Sequence, residues 1–97
     1  MANAVHTINP ATEDPLETLE LDTPERIQRA LERADQAYRR WRSTPLATRA
    51  ELLRALAARL REEEAAHARQ VTLEMGKPIT QARAEIAKCA RACQYFA

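Results

Sequence analysis

The sequence predicts a mainly α chain: three amphipathic helices that follow a short N-terminal β-hairpin. Three observations carry this. From residue 23 onward, apolar residues recur at spacings of three and four, the signature of a helix with one buried face. Before that point, Leu19 and Leu21 alternate with polar neighbours in a short run bounded by turn residues. The 97 residues include a single glycine, Gly76, too few for an all-β protein built on tight turns.

The length allows one domain at most. A net charge of +1 offers no bulk attraction to nucleic acid or to an anionic membrane, so neither is expected as a partner. No run of 18 apolar residues is present, and Met1 to Asn9 lacks a basic flank followed by an apolar run. Two cysteines, Cys89 and Cys93, do not make a disulfide framework, which fits a reducing cytoplasm. Only 4% of the residues are aromatic and much of the apolar fraction is alanine, so large side chains for a core are scarce.

Residues 1–22 read as the hairpin. His6-Thr7-Ile8-Asn9 runs into Pro10 as a short extended piece, Ala11 to Pro15 is rich in turn residues, and Leu16 to Leu21 reads as the second strand. A lone hairpin is marginal in water and needs a larger sheet or a helix to rest on.

Residues 23–97 read as three helices, near 23–42, 45–75 and 79–97. Thr23 suits the cap of the first, Pro24 its first position and Glu25 the positive end of its dipole. Ile27, Leu31, Ala34, Tyr38 and Trp41 form its apolar stripe, and its arginines lie mostly off that stripe as a solvated face. Thr44 and Pro45 are expected to cap and open the second helix. Leu46, Ala50, Leu53, Ala57 and Leu60 are its core stripe, widened by Leu52 and Leu56, and Glu62 to Glu64 is expected to be a solvated segment within it.

The second helix ends at Glu74-Met75-Gly76-Lys77-Pro78, the stretch around which the chain turns. Glycine takes a positive φ without a Cβ clash, as the residue just past a helix end requires. Lys77 is placed to neutralise the negative end of the dipole, and Pro78 bars the helix from continuing. Thr80 is expected to cap the third helix, whose apolar face is Ile79, Ala82, Ile86, Cys89 or Ala90, Cys93 and Ala97. Tyr95-Phe96-Ala97 is an apolar end in mid-pattern, with no cap, glycine or charged tail after it, and reads as a cut chain.

No residue reads as catalytic, cofactor-binding or metal-binding from spacing. Cys89 and Cys93 sit one turn apart, but a closed zinc site needs four ligands and neither histidine is spaced to join them. The expectation is two small buried residues on a packed helix face, and a surface or interface role for His67.

Several segments resemble, in order, the start of the aldehyde dehydrogenase superfamily. Ile8-Asn9-Pro10-Ala11-Thr12 is similar to its opening strand and turn. Trp41-Arg42-Ser43-Thr44-Pro45-Leu46, with Arg49-Ala50 and Leu52-Leu53, resembles the segment joining its first two long helices. Glu74-Met75-Gly76-Lys77-Pro78 is similar to its most recognisable N-terminal motif. Gln81-Ala82-Arg83-Ala84-Glu85-Ile86 and Cys93-Gln94-Tyr95-Phe96-Ala97 resemble its next helix. The nearest branch is succinate-semialdehyde dehydrogenase. Glu13 departs from the family, which often has glycine in that turn.

The resemblance implies that residues 1–97 are the N-terminal segment of the NAD(P)-binding domain, a piece of the α/β aldehyde dehydrogenase fold. It implies a parent enzyme that oxidises an aldehyde to an acid with NAD or NADP. In that chemistry a cysteine attacks the aldehyde, hydride passes to the nicotinamide and a glutamate-activated water releases the acid. The matching nucleophile, glutamate, oxyanion asparagine and cofactor glycines lie beyond residue 97, so this piece alone is expected to bind no cofactor and to be inactive. Ala84, Glu85 and Lys88 match positions that border the substrate entrance. The expected partner is the remainder of the parent or a second copy, with a homo-oligomer expected. The other reading of the same residues is a free-standing helical module that binds a partner through its exposed apolar stripes.

Overall fold

A computed structural model describes residues 3–97. The element order is β1 (Ala4–Ile8), β2 (Pro15–Glu20), α1 (Pro24–Trp41), α2 (Leu46–Glu62), α3 (Glu64–Met75) and α4 (Ile79–Phe96). Strands β1 and β2 pair antiparallel, with Val5 opposite Leu19 and Thr7 opposite Glu17, and the register shifts between Thr7 and Ile8. The turn between them is tied by side chains as well as backbone. Asn9 Oδ1 accepts from the Ala11 amide at 2.9 Å, and the Glu13 amide donates to the Asn9 carbonyl at 2.7 Å. Glu13 itself has φ +66°.

Thr23 caps α1 as expected, its hydroxyl accepting from the Arg26 amide at 3.2 Å, with Pro24 in the first turn. The next two expected caps fail. Thr44 lies in the α1–α2 link, Pro45 is the residue before α2, and no side chain caps that helix. Pro78 precedes α4, which leaves Thr80 inside its first turn rather than at its cap. In both cases proline fixes the entry into the helix without a hydroxyl.

The expected helix over 45–75 is two helices. Glu63 breaks it with φ −102° and ψ 12°, although its amide still reaches the Arg59 carbonyl and its own carbonyl accepts from His67. No proline or glycine marks the site; α4 lies against both α2 and α3, and the bend lets each of them follow it. Glu63 and Glu64 are therefore not a purely solvated run. Both are half-buried: Glu63 takes Arg59 and His67, and Glu64 takes Arg83 of α4 at 3.4 Å.

The interior formed by α2, α3 and α4 is lined by alanine. Ala57, Ala68, Ala82 and Ala90 are completely buried, and among the described residues no large side chain is. Small residues let the helices approach closely, but they remove little apolar area from water. Leu53, Leu60, Val71, Leu73, Ile86 and Cys93 fill the margins as half-buried residues. Helix α1 has no buried residue and no extended packing against another element among the described residues. The result is a sheet-like body measuring 47 × 39 × 15 Å, with a radius of gyration of 17.6 Å. A compact chain of this length would have one of about 13 Å.

The corner at Gly76 closes the α2–α3–α4 unit and holds the hairpin. Gly76 has φ +69°, and its amide donates to the Thr72 carbonyl at 2.9 Å. The left-handed turn is the one that the glycine was expected to make. The Pro10 ring stands against it: a Cβ added at Gly76 would lie 3.1 Å from Pro10 Cγ.

Candidate functional site

The three positions singled out as entrance residues lie together on α4. Ala84, Glu85 and Lys88 are all exposed; Ala84 and Lys88 lie on the side away from the packed face of Ala82, Ile86, Ala90 and Cys93, and Glu85 lies on its flank. At helical spacing Ala84 and Lys88 continue to Arg91 and Tyr95, so the outward stripe of α4 combines one small residue, two cations and an aromatic ring.

Glu85 is anchored by a residue outside the helix. Lys77 Nζ lies 2.6 Å from Glu85 Oε2 and donates to it, which ties the Gly76 corner to the second turn of α4. This hydrogen bond, together with the Lys77 charge and a smaller contribution from Lys88, holds the Glu85 carboxyl below its ordinary value of 4.5. Glu85 is therefore ionised and already neutralised near pH 7. Arg83 is likewise occupied by Glu64. Among the described residues Lys88 and Arg91 make no ion pair, so they are the uncompensated charges of this face.

The sequence had no means of showing the Lys77–Glu85 pair. The two residues are eight apart and separated by a helix end, so helical periodicity does not relate them. Lys77 had a plain reading as a dipole-neutralising residue, and only the direction of the corner reveals its second role. Arg91 was open to discovery, because it falls at i+3 from Lys88 on the stripe that holds Ala84.

The cysteines correct one expectation. Cys89 is exposed and Cys93 half-buried; both are free thiols. Of the two alternatives at the packed face, Ala90 turns inward, and Cys89 lies a third of a turn away from it. Neither histidine serves these thiols. His6 Nδ1 is 2.9 Å from Thr18 Oγ1 on the hairpin, and His67 Nε2 is 3.1 Å from Glu63 Oε2. No group of three or more His, Cys, Asp or Glu side chains is placed to hold a metal ion among the described residues. Among the described residues no helix is long and apolar enough to cross a membrane.

The residues present do not fit a dinucleotide. A pyrophosphate cradle needs glycine backbone that the ligand can approach. The one glycine of the chain is filled against by the Pro10 ring, so its missing side chain serves packing.

The family model described as "Aldehyde dehydrogenase family" matches residues 1–97. The chain is 44% identical over 91 residues to the succinate semialdehyde dehydrogenase [NAD(P)+] of Escherichia coli strain K12, covering 94% of this chain and 20% of that protein. It is 39% identical over 89 residues to the 4-(hydroxymethyl)benzenesulfonate dehydrogenase of Comamonas testosteroni, covering 92% of this chain and 19% of that protein. The crystal structure of a betaine aldehyde dehydrogenase mutant from Staphylococcus aureus, in complex with NAD+, superposes with a TM-score of 0.89 at 28% identity. That superposition covers 96% of this chain and 19% of the other. The chain thus spans about one fifth of the length of the relatives it matches. With its full length matched, and with the hairpin and helices superposing on a solved member, the chain belongs to the aldehyde dehydrogenase family.

Proposed function

We propose that this chain is the N-terminal segment of the NAD(P)-binding domain of an aldehyde dehydrogenase, and that its parent oxidises an aldehyde bearing a second, anionic group, succinate semialdehyde first among them, to the acid. The observation that carries this is the 44% identity to a succinate semialdehyde dehydrogenase over nearly the whole chain. The names of the relatives at 39–44% identity contain a semialdehyde of a dicarboxylic acid and a benzenesulfonate, both anions at neutral pH. The more distant relative at 28% is named for betaine aldehyde, a cation, so membership of the family alone does not fix the charge of the substrate.

On this reading the segment supplies scaffold, not chemistry. Its two thiols lack a histidine partner and its glycine is packed, so nucleophile, base and cofactor site belong to the remainder of the parent. Ala84, Glu85 and Lys88 border the substrate entrance by their match to the family's third helix. The remainder of the parent, or a second copy in a homo-oligomer, covers the apolar faces left open here. Two free thiols are consistent with a reducing, cytoplasmic setting.

The test is turnover by the full-length protein. Reduction of NAD+ or NADP+, followed by absorbance, is expected with succinate semialdehyde. No reduction with this or any other aldehyde would overturn the reading. A free-standing module that binds through its exposed stripes is favoured only if the gene is found to stop at Ala97.

A further inference from the structure

We propose that the outward stripe of α4 is an electrostatic guide for the anionic end of the aldehyde, with Lys88 and Arg91 as its working charges and Lys77 as the residue that keeps Glu85 from cancelling them. This rests on the reading of α4 as the border of the substrate entrance and goes beyond it, because it assigns the charge selection to named residues.

Helix α4 carries three cations, Arg83, Lys88 and Arg91, and one anion, Glu85. Arg83 turns toward α3 and is held by Glu64. Left alone, Glu85 would lie one turn from Lys88, where an i, i+3 pair of opposite charge attracts and would draw the ammonium to itself. Instead Lys77 reaches from the corner and takes Glu85 at 2.6 Å. The carboxylate is satisfied from the side, and the two remaining cations face outward beside Ala84, where the absence of a long side chain leaves room in front of them. The face therefore holds two cations that make no ion pair among the described residues, while the nearby Glu85 is engaged by Lys77. A charged face at the mouth of a site raises the local concentration of oppositely charged substrate, and the effect fades as salt screens it. Tyr95, exposed on the same stripe, adds a flat apolar surface for the carbon chain between the two ends of such a substrate.

The experiment uses the full-length enzyme and two four-carbon aldehydes, anionic succinate semialdehyde and neutral butanal. The readout is the ratio of their kcat/KM values and its dependence on ionic strength. The double variant Lys88→Glu with Arg91→Glu is expected to lower the ratio on the order of tenfold at low salt and to flatten its salt dependence. The charge-keeping variant Lys88→Arg with Arg91→Lys is expected to retain both. Lys77→Met, which frees Glu85, is expected to lower the ratio in the same direction by less. A ratio and salt slope unmoved by the double reversal would overturn the inference while leaving the aldehyde oxidation intact. An equal loss for both aldehydes would overturn it as well, since that is a structural effect. Absence of turnover with either aldehyde in the unmodified enzyme would sink the proposed activity and this inference together.

Discussion

Gly76 and Pro10 meet where the helical unit turns and the hairpin returns: the glycine runs at φ +69°, and a Cβ built on it would stand 3.1 Å from Pro10 Cγ. Two requirements fall on one residue. The backbone demands a conformation that side chains disfavour, and the neighbouring ring occupies the space that a side chain would need. The contact joins the turn after β1 to the end of α3, beside the place where β1 itself meets α3. Replacement of Gly76 by valine is expected to destabilise the protein by about 1–3 kcal/mol, read as a lower urea midpoint. Gly76→Ala combined with Pro10→Ala is expected to cost less than the sum of the two single changes, because the ring clash vanishes and only the φ penalty remains. Additive costs would show that the ring does not press on this position.

The alanine-lined interior separates two positions that the sequence left equivalent. Ala90 is completely buried and Cys89 is exposed, although both fall near the apolar stripe of α4. Ala90→Leu adds three carbons where helices already touch and is expected to destabilise by about 1–3 kcal/mol. Cys89→Leu is expected to change stability by less than about 0.5 kcal/mol, as surface changes do. Thermal melting of the two variants decides between the positions, and a larger cost at Cys89 would reverse the inward face of the helix.

The Lys77–Glu85 pair makes a prediction about pH. Its hydrogen bond and charge lower the Glu85 carboxyl in the folded state. A lowered pKa means that the pair stabilises above the ordinary glutamate value of 4.5 and that its contribution is lost as pH falls through the folded value. Carbon NMR of the Glu85 carboxyl is expected to show a midpoint below 4.5, moving up toward it in Lys77→Met. A midpoint indifferent to that substitution would show that the pair is not formed in solution.

Much of this architecture was legible because local chemistry decided it. Thr23-Pro24-Glu25 started α1 and Gly76 closed α3 through interactions within a few residues, which is the range over which sequence patterns speak. The failures share a cause. The break at Glu63 serves packing against α4, a partner some twenty residues away, and no proline or glycine announces it. Glu13 adopts φ +66° without being glycine, because the Asn9 carbonyl and the Asp14 backbone hold the turn around it. At the candidate site, periodicity placed Ala84, Glu85 and Lys88 on one helix, but their charge state depends on Lys77, which reaches Glu85 across a corner.

Association follows from what the chain fails to bury. Ile27, Leu31, Tyr38 and Trp41 form one stripe of α1, and each remains between 44% and 62% exposed. Met75, Tyr95 and Phe96 are at least 75% exposed, although the two rings meet edge to face with centroids 5.1 Å apart. Burying a large side chain fully contributes roughly 1.5–3 kcal/mol, so faces of this size favour whatever covers them. The isolated 97-residue chain is therefore expected to self-associate, and sedimentation equilibrium at micromolar concentration reads this directly. Leu31→Lys with Tyr38→Lys should shift the equilibrium toward monomer without loss of helix signal in circular dichroism, since α1 has no extended packing against another element among the described residues. The polar face should not matter in the same way: Arg29 and Arg33 are solvated, and Arg33→Ala should leave the sedimentation profile unchanged. A monomer at high micromolar concentration, melting cooperatively and binding no apolar dye, would mean that α1 folds back onto the α2–α3–α4 unit and that the chain closes its own core.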